Sequence, residues 1–106
     1  MKVPELSHLQ FLVLARLLTA EQSGAEIRAD LKRFRVRQSG PAFYQMMARL
    51  EKAGLVDGWY TQEVIEGQII KQRHYRVTAP GRRAWQECRS FYERTIDDVT
   101  EGLSHA

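Results

Sequence analysis

The sequence predicts a mainly α domain with one small β-hairpin, and three observations predict it. Four segments repeat apolar residues at three- and four-residue spacing, and each opens on Ser or Thr. One stretch, from Val56 to Thr78, is instead rich in aromatic and β-branched residues on either side of Glu66-Gly67. The chain has 106 residues, enough for one core and too few for two separate ones.

Ser7, with Gln10 three residues on, forms a capping box for the first helix. Leu6, Leu9, Leu12/Val13 and Leu17 share one stripe, and Leu14 and Leu18 broaden it, so this helix is expected to pack on more than one neighbour. Thr19 to Gln22 read as a polar connection. Ser23 and Glu26 form a second capping box, opening a helix that buries Ile27, Leu31 and Phe34 and exposes Arg28, Lys32 and Arg35. A basic turn, Val36-Arg37-Gln38, follows.

The third helix runs from its N-cap Ser39, with Pro41 tolerated in the first turn, to Gly54, which can supply the left-handed residue that ends it. Phe43, Met46, Met47 and Leu50 mark its buried side. Ala42, Gln45, Arg49 and Lys52 lie opposite. Gln and Arg are side chains able to pair with base edges, and small residues let a helix sit deep in a groove, so this is the candidate DNA-recognition helix. Helix, short turn and capped second helix make a helix-turn-helix, in which the first helix lies across the nucleic-acid backbone.

Beyond Val56, two strands with Glu66-Gly67 as a two-residue turn form the hairpin; Asp57-Gly58 is a competing turn. In the first register Val56, Tyr75 and Val77 point at the core. Lys71 and Arg73 lie further out on that side, and Trp59 and His74 face away. A ribbon after a helix-turn-helix is a wing. Thr78-Ala79-Pro80-Gly81 then caps a last helix, along which Trp85, Cys88, Tyr92, Ile96, Val99 and Leu103 recur, with Phe91 beside them. The stripe is longer than the remaining core needs, so it is expected, with Leu6 and Leu9 of the first helix, to meet a second copy.

The net charge of +3 hides an uneven layout: residues 28–37 carry +4, residues 71–83 carry +5 and the tail from Glu87 carries −3. Two basic clusters beside a candidate recognition helix match a phosphate-binding footprint. Arg35, Arg37, Gln38, Ser39, Gly40, Ala42, Tyr44, Gln45, Arg49, Lys71 and Arg73 are the candidate DNA contacts. The single cysteine, Cys88, allows no internal disulfide; on the apolar stripe it reads as a small buried hydrophobe, with a redox sensor as the alternative. His8, His74 and His105 are scattered, so neither a metal nor another cofactor is expected. No nucleophile elbow, phosphate loop or metal-ligand spacing points to an enzyme. Arg16 interrupts the early apolar run, and no segment has the ~20 apolar residues of a membrane span, so a cytoplasmic protein is expected.

Three motifs in order resemble the PadR family of winged-helix transcriptional regulators, in its short subgroup. They are Ser23-Gly24-x-Glu26-Ile27, then Ser39-Gly40-x-x-x-Tyr44 continuing through Arg49-Leu50-Glu51-Lys52-x-Gly54-Leu55-Val56, and finally His74-Tyr75-Arg76-Val77-Thr78-x-x-Gly81. The resemblance implies a winged helix-turn-helix DNA-binding domain at 1–78 and a C-terminal dimerisation helix at 79–106, in one compact unit. It also implies a homodimer on a pseudo-palindromic double-stranded operator, usually as a repressor, released by a small aromatic effector near the dimer seam. Trp85, Phe91 and Tyr92 are the candidate effector contacts, and the Tyr44 hydroxyl is a candidate phosphate donor. The chain departs from the family at the wing, where Gly67-Gln68-Ile69-Ile70 precedes Lys71 in place of several basic residues. That apolar tip keeps open a second reading, a winged helix that binds protein in place of specific DNA.

Overall fold

The computed structural model describes residues 4–105, so Met1, Lys2, Val3 and Ala106, at the two ends of the predicted segments 1–78 and 79–106, lie outside the described residues. Helix α1 (His8–Leu17) leads to a two-residue strand β1 (Gln22–Ser23), then α2 (Gly24–Arg33) and α3 (Gly40–Lys52). Strands β2 (Val56–Ile65) and β3 (Gln68–Val77) follow, and α4 (Ala79–Ser104) closes the chain. The antiparallel sheet has the order β1-β3-β2. The fold class is therefore that of the sequence reading, helices plus a small sheet in winged-helix order.

The helix starts follow from local chemistry. Ser7 and Ser23 each accept from the backbone N–H three residues on, at 3.1 Å, while Gln10 and Glu26 accept in return from the cap's own N–H. Ser39 Oγ accepts from Ala42 N at 3.2 Å with Pro41 in the first turn, and Gly54 ends α3 at φ 76°. Each such cap is worth about 1 kcal/mol. Val13, Leu14, Leu17, Ile27, Leu31, Phe43, Met46, Met47, Leu50, Val56 and Tyr75 make one core, joining α1, α2, α3 and the base of the sheet.

Strand β1 forms where the sequence predicts only a polar connection and the N-cap of α2. Gln22 pairs with Tyr75 and Ser23 with His74, because the N-cap of α2 has extended backbone angles and lies alongside β3. Phe34 is the other departure: it is not buried but 51% exposed. The helix stops one residue earlier, Arg35 turns the chain at φ 60°, and Val36, which donates to Leu31 O at 3.0 Å, packs on the core instead. Phe34 is left outside with the Arg16 guanidinium 4.8 Å above its ring.

The hairpin turns at Glu66-Gly67, both with positive φ (51° and 77°), as a two-residue turn of the I′ kind demands. Its register, from Val56 opposite Val77 to Ile65 opposite Gln68, runs straight through Asp57-Gly58, which is therefore strand and not turn. Thr78 joins α4 to the end of α3. Its N–H donates to Leu55 O at 3.1 Å, its hydroxyl donates to Gly54 O at 2.6 Å, and the same oxygen accepts from Gly81 N. Helix α4, 26 residues and about 39 Å long, outruns the domain. Its first half lies on α1, where Trp85 stacks on Phe11 at 5.3 Å and Tyr92 on His8 at 6.4 Å. Beyond that, from Tyr92 on, it is exposed among the described residues.

Candidate nucleic-acid interface

The turn between α2 and α3 collects positive charge at the start of the candidate recognition helix. Lys32, Arg35, Arg37 and Gln38 line one cleft there. Arg35 lies there at a left-handed backbone position, two residues past the end of α2. Arg28, one turn earlier on α2, sets its guanidinium against Gly40: a Cβ on Gly40 would stand 3.5 Å from Arg28 Nη1. The sequence predicts Arg28 on the exposed face of α2, outside the candidate DNA contacts. Its spacing of four from Lys32 was the available signal. Among the described residues, Arg28, Lys32, Arg35 and Arg37 form no ion pair, whereas Arg33, Arg76 and Arg89 are paired with Asp30, Asp57 and Glu93.

Along α3, Gln45, Ala48 and Lys52 are exposed and Ala42 is half-buried. Arg49 is exposed too, but it stands at the flank of the helix, lining a groove with Leu6, Leu55, Arg83 and Phe91. Tyr44 lies edge-on to Phe43 at 5.0 Å and covers the first turn of α2. A Cβ on Gly24 would stand 2.7 Å from the Tyr44 hydroxyl oxygen, so only glycine leaves Tyr44 its place.

The two wing candidates part company. Lys71 is exposed, with its ammonium 4.4 Å above the Tyr60 ring. Arg73 is half-buried and hydrogen-bonded to Glu51 of α3, so its charge is already engaged inside the chain and it is not a free phosphate ligand. Partial burial works against its charge, but the hydrogen bond and charge of Glu51 outweigh it and raise the Arg73 pKa. Burial, helped by the Glu51 charge, pushes the neighbouring Tyr75 phenol up to about 12. At the tip, Val64 and Ile69 are paired across the strands and 74% and 71% exposed, with Ile65 and Ile70 exposed behind them.

The expected self-association stripe divides in two. Leu6, Leu9 and Trp85 are half-buried against the core, and Cys88 is buried within the chain, so Cys88 has no surface to offer a second copy. Burial also raises the Cys88 thiol pKa, which disfavours the nucleophilic thiolate. Ile96, Val99 and Leu103 are exposed at 62%, 57% and 72%, and Tyr92, stacked on His8, at 41%. Of the three aromatic effector candidates, Phe91 lines the groove beside Arg49 and meets Tyr92 edge-on at 5.4 Å, whereas Trp85 is stacked on Phe11. Among the described residues no three His, Cys, Asp or Glu side chains gather as a metal site would need, and no helix is long and apolar enough to cross a membrane.

No protein-family model matches the chain, and none of the curated proteins matches it. Solved structures do. A PadR family transcription regulator from Clostridium difficile superposes with a TM-score of 0.71 at 20% identity, covering 92% of this chain and 98% of that one. A PadR-like transcription factor from Bacteroides fragilis gives 0.73 at 17% identity, over 88% and 87%. Bacillus subtilis PadR, solved in complex with operator DNA, gives 0.64 at 20% identity over 76% of this chain and 47% of that longer one. At such identities the likeness speaks to the fold, and the fold of this chain is that of the PadR-like winged-helix transcriptional regulators.

Proposed function

We propose that the protein is a sequence-specific, double-stranded-DNA-binding transcriptional regulator that acts as a homodimeric repressor. The observation that carries this reading is the group of unpaired cations, Arg28, Lys32, Arg35 and Arg37, around the start of a helix whose exposed side offers Gln45. Cations in that position neutralise phosphates and release counterions, while an amide on the exposed side pairs with a base edge. Ser39, Gly40 and Ala42 let the start of α3 approach the groove. Gln38 and the Tyr44 hydroxyl donate to flanking phosphates, and Lys71 extends the footprint along the wing. Arg49, at the flank of α3, serves the groove side as much as the DNA side. The operator-bound state of the Bacillus subtilis PadR structure supports the same use of this fold.

The bare distal half of α4 supports the dimer. Tyr92, Ile96, Val99 and Leu103 form a stripe that water leaves unstable and a second α4 can cover. A pseudo-palindromic operator then follows from the two-fold symmetry. A small aromatic effector fits beside Phe91 and Tyr92 better than at Trp85, whose ring is taken by Phe11.

The reading is tested by competition on the DNA upstream of the protein's own coding sequence. Specific binding survives a large excess of random duplex. Equal displacement by random and specific duplex contradicts it. A second reading, a protein-binding winged helix, is favoured by one observation, the exposed aliphatic tip at Val64, Ile65, Ile69 and Ile70. Failure to bind any duplex at low salt selects that reading.

A further inference from the structure

We infer that Glu51 and Arg73 are positioning residues that set the tilt of the wing on the recognition helix, with Gly58 as the residue that makes room for them. Glu51 stands on the last turn of α3 and Arg73 on β3, 22 residues apart, and their side chains are hydrogen-bonded in a half-buried ion pair. Arg73 is fixed from two further sides, 4.6 Å over the Tyr60 ring and 5.9 Å over the Tyr75 ring. Gly58 lies in β2 opposite Tyr75, on the face of the ribbon that carries Arg73. A Cβ there would overlap Glu51 Oε1 and stand 2.8 Å from its Cδ and 2.9 Å from Arg73 Nη2. A strand glycine costs stability without a compensating purpose. Here the purpose is the space the ion pair fills.

The pair matters because of where it sits along the ribbon. Every residue from Gln62 to Lys71 is exposed, so this is the outermost hydrogen bond from the wing to α3 among the described residues. The turn lies about 20 Å of strand further out, so a tilt of about 10° at the base moves it about 3 Å. A charged hydrogen bond shielded from solvent is stiffer than one in water, because little solvent competes for either group. The recognition helix and the wing thus approach DNA as one rigid piece. This consequence rests on the DNA-binding reading above; the geometry of the strut does not.

The test uses the full chain. Nitroxides at Ala48→Cys on α3 and Gln68→Cys on the wing, in a Cys88→Ala background diluted with unlabelled protein, report the distance between helix and wing within one chain. Glu51→Gln, which keeps shape and removes charge, and Gly58→Ala, which displaces the pair and removes no charge, are each expected to broaden that distance distribution by about 3 Å. An unchanged distribution in both overturns the strut. Hydroxyl-radical footprints on the upstream DNA supply the functional arm. Glu51→Gln is expected to erase protection under the wing while protection under α3 persists. Uniform fading of the whole footprint assigns the pair a merely structural role and overturns the positioning claim. If the wild-type protein leaves no footprint, the DNA-binding reading fails, while the spin-label distances still decide whether the pair holds the wing.

Discussion

Two glycines of α4 should respond to the same substitution with opposite signs. Gly81 sits in the first turn, pressed on Leu55 in the turn that follows α3: a Cβ there would overlap Leu55 O and stand 2.8 Å from Val77 Cγ2. The obstacle is backbone, so no side chain can swing aside, and α4 must move off Leu55 by roughly an ångström to regain ordinary contact. Such a shift breaks the clasp in which Thr78 donates to Gly54 O and Leu55 O. Losing two hydrogen bonds at about 1 kcal/mol each, with overpacking strain of about 1–3 kcal/mol, outweighs a helix-propensity gain of at most ~1 kcal/mol. Gly81→Ala is therefore expected to destabilise by about 3 kcal/mol. Gly102 has nothing within 4 Å of its Cβ position, so Gly102→Ala should stabilise by about 0.5–1 kcal/mol, the propensity term alone. Urea unfolding followed by Trp fluorescence, at one fixed protein concentration, measures both. Equal or raised stability in Gly81→Ala would mean that α4 does not rest on Leu55.

Four further outcomes are expected. Gln45→Ala should cost about 1–3 kcal/mol against the operator and relax preference at one base pair, as read by titration against operator variants; uniform weakening would make Gln45 a positioning contact. Arg37→Ala should weaken binding to all duplexes alike and lower the salt slope by ~0.9 for each copy that contacts DNA, whereas an unchanged slope removes Arg37 from the interface. Ile96→Glu should leave the fold intact by circular dichroism and yield monomers by sedimentation velocity, since Ile96 is uncovered within one chain; a persistent dimer would move the seam elsewhere. Tyr75, held protonated up to about 12 against an ordinary 10.0, contributes stability that is fully present below pH 10 and lost as pH rises towards 12. That loss amounts to about 1.4 kcal/mol per pH unit and should vanish in Tyr75→Phe.

What could be read in the chain beforehand depended on the range of the interactions involved. Caps and turns are local, so Ser7, Ser23, Ser39 and Thr78 announced their helices, and Glu66-Gly67 its turn, from a few adjacent residues. The apolar stripes of α1 and α3 were legible from their periodicity. Strand β1 was not, because two extended residues are too short to show any alternation. Phe34 kept the helical spacing after the helix itself had ended, so periodicity ran one step too far. Gly58 follows Asp57 and looks like a turn, yet its role depends on Glu51 and Arg73, which only the folded chain brings together. The same non-local pair turned Arg73 from a free cation into a strut. At the candidate interface the exposed side of α3 was visible in advance, but the approach of Arg28 to Gly40 required the angle between α2 and α3.

Binding of DNA by this surface through its unpaired cations is read from a salt-resolved titration of the upstream duplex. If Arg28, Lys32, Arg35 and Arg37 of two copies each neutralise a phosphate, log K should fall against log salt with a slope of about −7. A slope near zero, or no binding at low salt, would mean that these cations do not hold phosphates.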